Sequence, residues 1–187
     1  MGRVRFVKSA SHWSQFPEGN KPQVAIAGRS NSGKSSYINS LAHQKIAKVS
    51  GKPGKTRLLN IFDVEDRFWL IDMPGYGYAA RSFKERNQWE KMIENYLLNT
   101  PNLKGLILLL DIRRDWDEEE SMLLDFCNSQ DLQIVVGLTK ADKLSRSQWK
   151  SKAIQMEKQL GVPCFALSSL KNWGIRDVTG HIFKNWL

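Results

Sequence analysis

Acidic residues are almost missing from the first third of this chain. Residues 1–60 hold a single one, Glu18, against 11 lysines and arginines. Cysteine is scarce as well. Cys127 and Cys164 are the only two; they have no metal-like spacing and are too few for a disulfide framework. They read as reduced core residues of a cytoplasmic protein. Long apolar runs are lacking. The run at 106–110 falls far short of the ~20 residues that a membrane span needs, and no apolar stretch follows the basic N-terminus as it would in a secretory signal. Neither a membrane nor an export role is expected. There is no internal repeat and no low-complexity linker. What remains is a chain of 187 residues, 41% hydrophobic and 25% charged, which suits one domain with a full core.

The net charge of +9 is unevenly placed. Beyond residue 60 the chain carries 17 basic and 18 acidic residues, so the excess belongs to the first third. Part of it is expected to face a bound phosphate, and the rest to steer the protein toward a polyanion such as RNA. A merely solvated basic face is the plain alternative.

That basic third contains Gly28-Arg29-Ser30-Asn31-Ser32-Gly33-Lys34-Ser35, the pattern G-x-x-x-x-G-K-[ST]. An apolar stretch at 24–27 precedes it and a helix-compatible stretch begins behind it with Ser36. Strand, loop and helix in that order make a phosphate-binding loop. Backbone N–H groups from Asn31 to Ser35 can curl around phosphate oxygens, and the two glycines allow a close approach. Lys34 would reach the outer phosphates, and the Ser35 hydroxyl would hold Mg²⁺.

Along the chain, strands are predicted at 3–8, 24–27, 57–64, 68–71, 106–110, 134–138 and 162–167. Helices are predicted at 34–42, 84–98, 118–129, 147–160 and 174–187. Residues 1–22, including the lead-in strand, are expected to be an extension packed on a single nucleotide-binding domain at 23–187. Residues 43–56, rich in lysine, glycine and proline, read as a mobile loop. Elements alternate from residue 24 onward, which calls for a mostly parallel sheet with helices on both faces. The expectation is six strands, one of them antiparallel because 57–64 and 68–71 form a hairpin-like pair. Ligands of such sheets lie outside the carboxyl ends of the strands. The phosphate loop, Asp72, Asp111, Lys140 and Ser168 all fall there.

Four further stretches fit a nucleotide. Asp72-Met73-Pro74-Gly75 would supply a carboxylate toward Mg²⁺ and a Gly75 N–H toward the γ-phosphate. Thr56 is the best second hydroxyl for the metal, with Gly54, Lys55, Arg57 and Leu58 beside it. Thr139-Lys140-Ala141-Asp142 ends a strand. A carboxylate there can accept from guanine N1–H and N2–H₂, a donor pair adenine lacks, so Asp142 selects GTP over ATP. Leu167-Ser168-Ser169-Leu170 follows the last strand; its N–H groups can reach guanine O6 and its hydroxyls can brace Asp142.

With these stretches in order the sequence resembles the translation-factor-related GTPases (the TrmE-Era-EngA-EngB-septin-like superfamily). Within them it resembles the YihA/EngB/YsxC family of ribosome-assembly GTPases. The resemblance rests on GRSNSGKSSYIN, GKPGKTRLLN, IDMPGYGYA, LLLDIRRDWDEEE, LTKADKL and FALSSLKNWG. It implies a three-layer α/β P-loop GTPase fold and a GTP/GDP-binding, Mg²⁺-dependent factor. It also implies a monomer that serves assembly of the large ribosomal subunit through rRNA or ribosomal proteins and is linked to septation and cell division. It implies neither a DNA nor a membrane partner. A septation switch acting through a protein partner is the alternative function, and Asp142 argues against an ATP-dependent kinase. Thr139 stands where many GTPases have Asn. Arg114, where relatives often have His, is not expected to touch nucleotide. Tyr76 stands where signalling GTPases carry a water-orienting Gln, so intrinsic hydrolysis is expected to be slow. Asn31 resembles the phosphate-loop asparagine of K⁺-stimulated relatives. Lys34, Thr56, Gly75 and Asn31 are therefore the residues expected to serve catalysis.

Overall fold

The hydrophobic alternation of the central strands builds the layers. The computed structural model of the protein describes residues 4–47, 58–76 and 83–187, and only the backbone within 83–90. Gly54, Lys55, Thr56 and Arg57, most of the basic loop and the Gly77-Tyr78 pair lie outside the described residues. Strand β2 (Gln23–Gly28) is buried at every position, and successive side chains point to opposite faces. Val24 and Ile26 enter one layer, with Tyr37 and Ile38 of helix α1 (Lys34–Ala42) and Val178 and Ile182 of α5 (Ile175–Asn185). Ala25 and Ala27 enter the other, against α2 (Phe83–Leu98) and α3 (Glu118–Ser129). Strand β5 (Leu103–Asp111) divides likewise, Ile107 and Leu109 to the first layer, Leu106 and Leu108 to the second. Each buried Val, Leu or Ile side chain among these stabilises the fold by roughly 1.5–3 kcal/mol.

The remaining strands are β1 (Val4–Ala10), β3 (Leu59–Val64), β4 (Phe68–Asp72), β6 (Gln133–Thr139) and β7 (Cys164–Ala166). Helix α4 (Arg146–Leu160) packs Met156 against Leu110, Val136 and Leu138. A reciprocal cap starts it: the Ser145 side chain accepts from the Gln148 N–H, and the Gln148 side chain from the Ser145 N–H. Such a box adds about 1 kcal/mol to the helix.

The sheet corrects the expected architecture. It has seven strands, in the order β1-β3-β4-β2-β5-β6-β7. Two pairs are antiparallel, β1 with β3 and β3 with β4. Six strands with one antiparallel strand therefore does not hold. The seventh strand is the N-terminal one, which covers the outer edge of β3 from Val4↔Val64 to Ala10↔Leu59. Only its end residues Val4 and Ala10 are buried. Its side chains therefore give little hydrophobic signal, while its backbone pairs an edge that would otherwise be open. Glu65 and Asp66 turn the chain between β3 and β4, both at positive φ, and the Asp63 carboxylate accepts from the Asp66 N–H. No helix among the described residues is long and apolar enough to cross a membrane. Cys127 and Cys164 are buried and free, and burial pushes both thiols up to about 12.

Candidate functional site

Strand β2 lies between β4 and β5, so the chain reverses its direction of sheet growth there. A crevice opens at that point, beyond the strand ends. The loop that follows β2 turns on backbone that side chains resist. Gly28 has φ +157°, and a Cβ on it would lie 2.4 Å from the Leu109 carbonyl oxygen and 2.5 Å from Ser32 Oγ. Asn31 (φ 65°) and Gly33 (φ 98°) are also left-handed. Gly33 caps α1 without any side-chain hydrogen bond, so the first N–H groups of the helix stay directed at an anion. Lys34 Nζ donates to the Gly28 carbonyl at 2.8 Å, which holds the ammonium across the loop. Ser30, Ser35 and Ser36 are half-buried along it.

The base-side loops are tied to this cradle. Thr139, at the end of β6 and 4% exposed, donates its hydroxyl to the Ser32 carbonyl at 2.6 Å and to that of Leu110 at 3.2 Å. Thr139 thus anchors the phosphate loop. Lys140 Nζ donates to the Asn31 carbonyl at 3.0 Å and pairs with Asp111 Oδ2 at 2.9 Å. Burial opposes the Asp111 charge, but Arg113 and Lys140 together hold its carboxyl well below the usual range. The Ser168 hydroxyl donates to Asp142 Oδ1 at 2.5 Å, and the Ala141 N–H to the Leu167 carbonyl. Ser168 is buried, Ser169 half-buried and Leu170 75% exposed. Asn31, Asp111, Arg113, Arg114 and Lys140 line an open hollow of about 340 Å³. Arg114 therefore borders the cradle, although its place in the sequence did not suggest it.

Asp72 ends β4 one strand away. Its Oδ2 accepts weakly from Asn60 Nδ2 at 3.4 Å. Its Oδ1 is enclosed without a hydrogen bond among the described residues. Burial raises its pKa to about 6, against the opposing pull of Lys34 and Asn60. A buried carboxylate oxygen with no donor beside the phosphate cradle suits a divalent cation or its water. Met73 is buried, with its N–H on the Ile26 carbonyl. Gly75 packs against the cradle: a Cβ there would lie 3.0 Å from Lys34 Nζ and 3.1 Å from the Ser30 nitrogen. Leu58, just ahead of β3, is 38% exposed.

Two features escaped sequence reasoning. The Arg29 side chain turns away from the cradle to the start of α3, where Asp117, Glu119 and Glu120 hold it at 2.8, 3.0 and 2.9 Å. Burial works against this charge, but Glu120 and its neighbours raise the Arg29 pKa overall. The Tyr76 hydroxyl donates to the same Glu120 at 3.1 Å. The acidic run that starts α3 is plain in the sequence, but nothing in its spacing names the cation that Asp117, Glu119 and Glu120 meet.

Residues 23–140 match the family described as "50S ribosome-binding GTPase". A "Probable GTP-binding protein EngB" of Bdellovibrio bacteriovorus is 49% identical over 185 residues, 98% of this chain and 92% of the relative. One of Streptococcus sanguinis is 43% identical over 153 residues, 81% of this chain and 78% of that protein. Among solved structures, a "probable GTP-binding protein engB" matches with TM-score 0.69 and 23% identity, over 87% of this chain and 97% of that one. Aquifex aeolicus Era bound to GDP·AlF₄⁻ matches with TM-score 0.72 and 20% identity, over 88% of this chain and 56% of that one. The structural likenesses speak for the fold.

Proposed function

This chain belongs to the EngB family of P-loop GTPases, and from that premise we propose that it hydrolyses GTP slowly as an assembly factor for the large ribosomal subunit, linked to normal cell division. The single observation that carries the GTP reading is the rigid frame between two half-sites. Asp142, braced by Ser168, offers its carboxylate to a guanine edge, while Thr139 ties that loop to the phosphate cradle. Base and phosphates are thereby gripped at a fixed separation. Residues 23–187 form the nucleotide domain in this reading. The extension, 1–22, packs on it in this reading, which is supported by its described residues: β1 pairs with β3, Phe16 meets Tyr96 and Lys21 meets Asp63.

The N–H groups from Asn31 to Ser35 and the Lys34 ammonium bind the phosphates and stabilise charge on the transferred group. Ser35, Asp72 and Thr56 are the residues for Mg²⁺, which when bound neutralises the phosphate oxygens. Gly75 offers its N–H to the γ-phosphate. Gly54, Lys55, Arg57 and Leu58 flank Thr56 on the nucleotide, and Lys140, Ala141, Leu167, Ser169 and Leu170 surround the base. The Tyr76 hydroxyl is engaged by Glu120, so it leaves water unoriented and turnover is slow. Asn31 is the residue for a stimulating K⁺; equal turnover in KCl and NaCl would remove that role. The basic first third is the surface offered to rRNA. Co-sedimentation with large-subunit precursors tests the whole reading: binding is tighter with a non-hydrolysable GTP analogue than with GDP. Nucleotide-independent binding, or travel with a division complex instead, refutes it.

A further inference from the structure

We propose that Glu120 of α3 is a positioning residue for GTP: its carboxylate holds the Tyr76 hydroxyl and thereby fixes Gly75 beside the Lys34 ammonium, where a third phosphate is met. The inference rests on the GTP reading above and extends it to residues outside the nucleotide-binding stretches.

Glu120 has a side chain only 1% exposed. An ionised carboxylate so placed needs a partner of opposite charge, and Arg29 supplies it from within the phosphate loop. One oxygen, Oε1, receives both Arg29 Nε at 2.9 Å and the Tyr76 hydroxyl at 3.1 Å. The loop that grips phosphate and the segment that follows Asp72 therefore converge on a single atom of a third element. The backbone repeats this clasp. Arg29 and Tyr76 form an isolated parallel bridge, and the Ser30 N–H donates to the Tyr76 carbonyl at 2.9 Å. Tyr76 is 4% exposed, anchored at both its ring tip and its carbonyl. Gly75 is the adjacent residue and lies close against the phosphate loop: a Cβ added to it would meet Lys34 Nζ at 3.0 Å and the Ser30 nitrogen at 3.1 Å. Pre-organising a donor in this way raises affinity for the group that it meets, by removing the ordering penalty at binding. GDP lacks that phosphate, so the device should discriminate between the two nucleotides.

The test measures affinity for GDP and for a non-hydrolysable GTP analogue, by calorimetry with Mg²⁺, on the full chain and on Tyr76→Phe, Glu120→Gln and the double variant. Tyr76→Phe removes one O–H and leaves Glu120 paired with Arg29. It should weaken the analogue by about five- to tenfold, the scale of the net worth of one hydrogen bond, and leave GDP within about twofold. Single-turnover hydrolysis should slow by a similar factor. The double variant should be no worse than Glu120→Gln alone, since the hydroxyl that Tyr76→Phe removes has already lost its charged acceptor there. Equal weakening of both nucleotides, or an unchanged analogue affinity, overturns the positioning role. If Glu120→Gln does not fold, Tyr76→Phe decides alone. Failure of the unaltered chain to bind either nucleotide would overturn the GTP reading itself, and this role with it.

Discussion

Replacing Thr139 by Val tests whether the base loop and the phosphate loop act as one frame. Val keeps the volume of the side chain that stands beside Gly33, but it has no hydroxyl. The Ser32 carbonyl would lose its 2.6 Å donor and the Leu110 carbonyl its 3.2 Å one, at a site only 4% exposed where water cannot readily replace them. A buried acceptor left in that state costs about 1–3 kcal/mol. In urea, with a slope of about 1–3 kcal/mol/M for a small protein, the midpoint should fall by roughly 1 M with the slope unchanged. Because the lost bond pins the phosphate loop, GDP affinity should also fall, by up to about tenfold for each 1.4 kcal/mol expressed at the site. Thr139→Ser retains the hydroxyl and should recover most of both losses. A Val variant with native midpoint and native GDP affinity, or a Ser variant as damaged as the Val one, would refute the frame.

Three other outcomes follow from the geometry. Asp72 titrates in the folded protein near 6, above its ordinary value of about 3.9. In metal-free, nucleotide-free buffer its contribution to stability is therefore present below pH 4 and lost as pH rises through 6. Asp72→Asn should be the more stable protein above pH 6 by on the order of 3 kcal/mol, with the difference gone near pH 4; parallel melting curves across this range would sink the assignment. Gly28→Ala would press a methyl group to 2.4 Å from the Leu109 backbone oxygen, so nucleotide binding should fall by more than a hundredfold, and native binding in a filter assay would exclude the close approach. Ser168→Ala removes the 2.5 Å brace on Asp142. The preference for GDP over ADP should then drop about tenfold, the scale of one charge-assisted bond, and an unchanged preference would show that Asp142 is held by other means.

Much of this was legible in sequence because it is local. The phosphate loop needs glycines where the backbone turns left-handed and a lysine at the start of a helix, and Gly28, Gly33 and Lys34 declare both within eight residues. Helices α1 and α3 fall where their periodicity puts them, at Lys34–Ala42 and Glu118–Ser129. The strand ends carrying Asp72, Thr139 and Ser168 could be placed because continuous apolar runs stop there. Strand β1 could not be placed in the sheet. Its pairing is made by backbone groups, which every residue carries alike, and five of its seven side chains face solvent.

Sequence by itself thus determined the P-loop GTPase class, since that depends on residue types at short spacing. Only the tertiary structure decided which distant groups share a charge. Arg29 lies 91 positions from Glu120, and Tyr76 lies 44 from it. Spacing along the chain cannot specify contacts closed by three separate elements. The packing of β2, β4 and α3 brings the guanidinium, the phenol and the carboxylate together, because a buried carboxylate is tolerated only where a cation and a donor meet it.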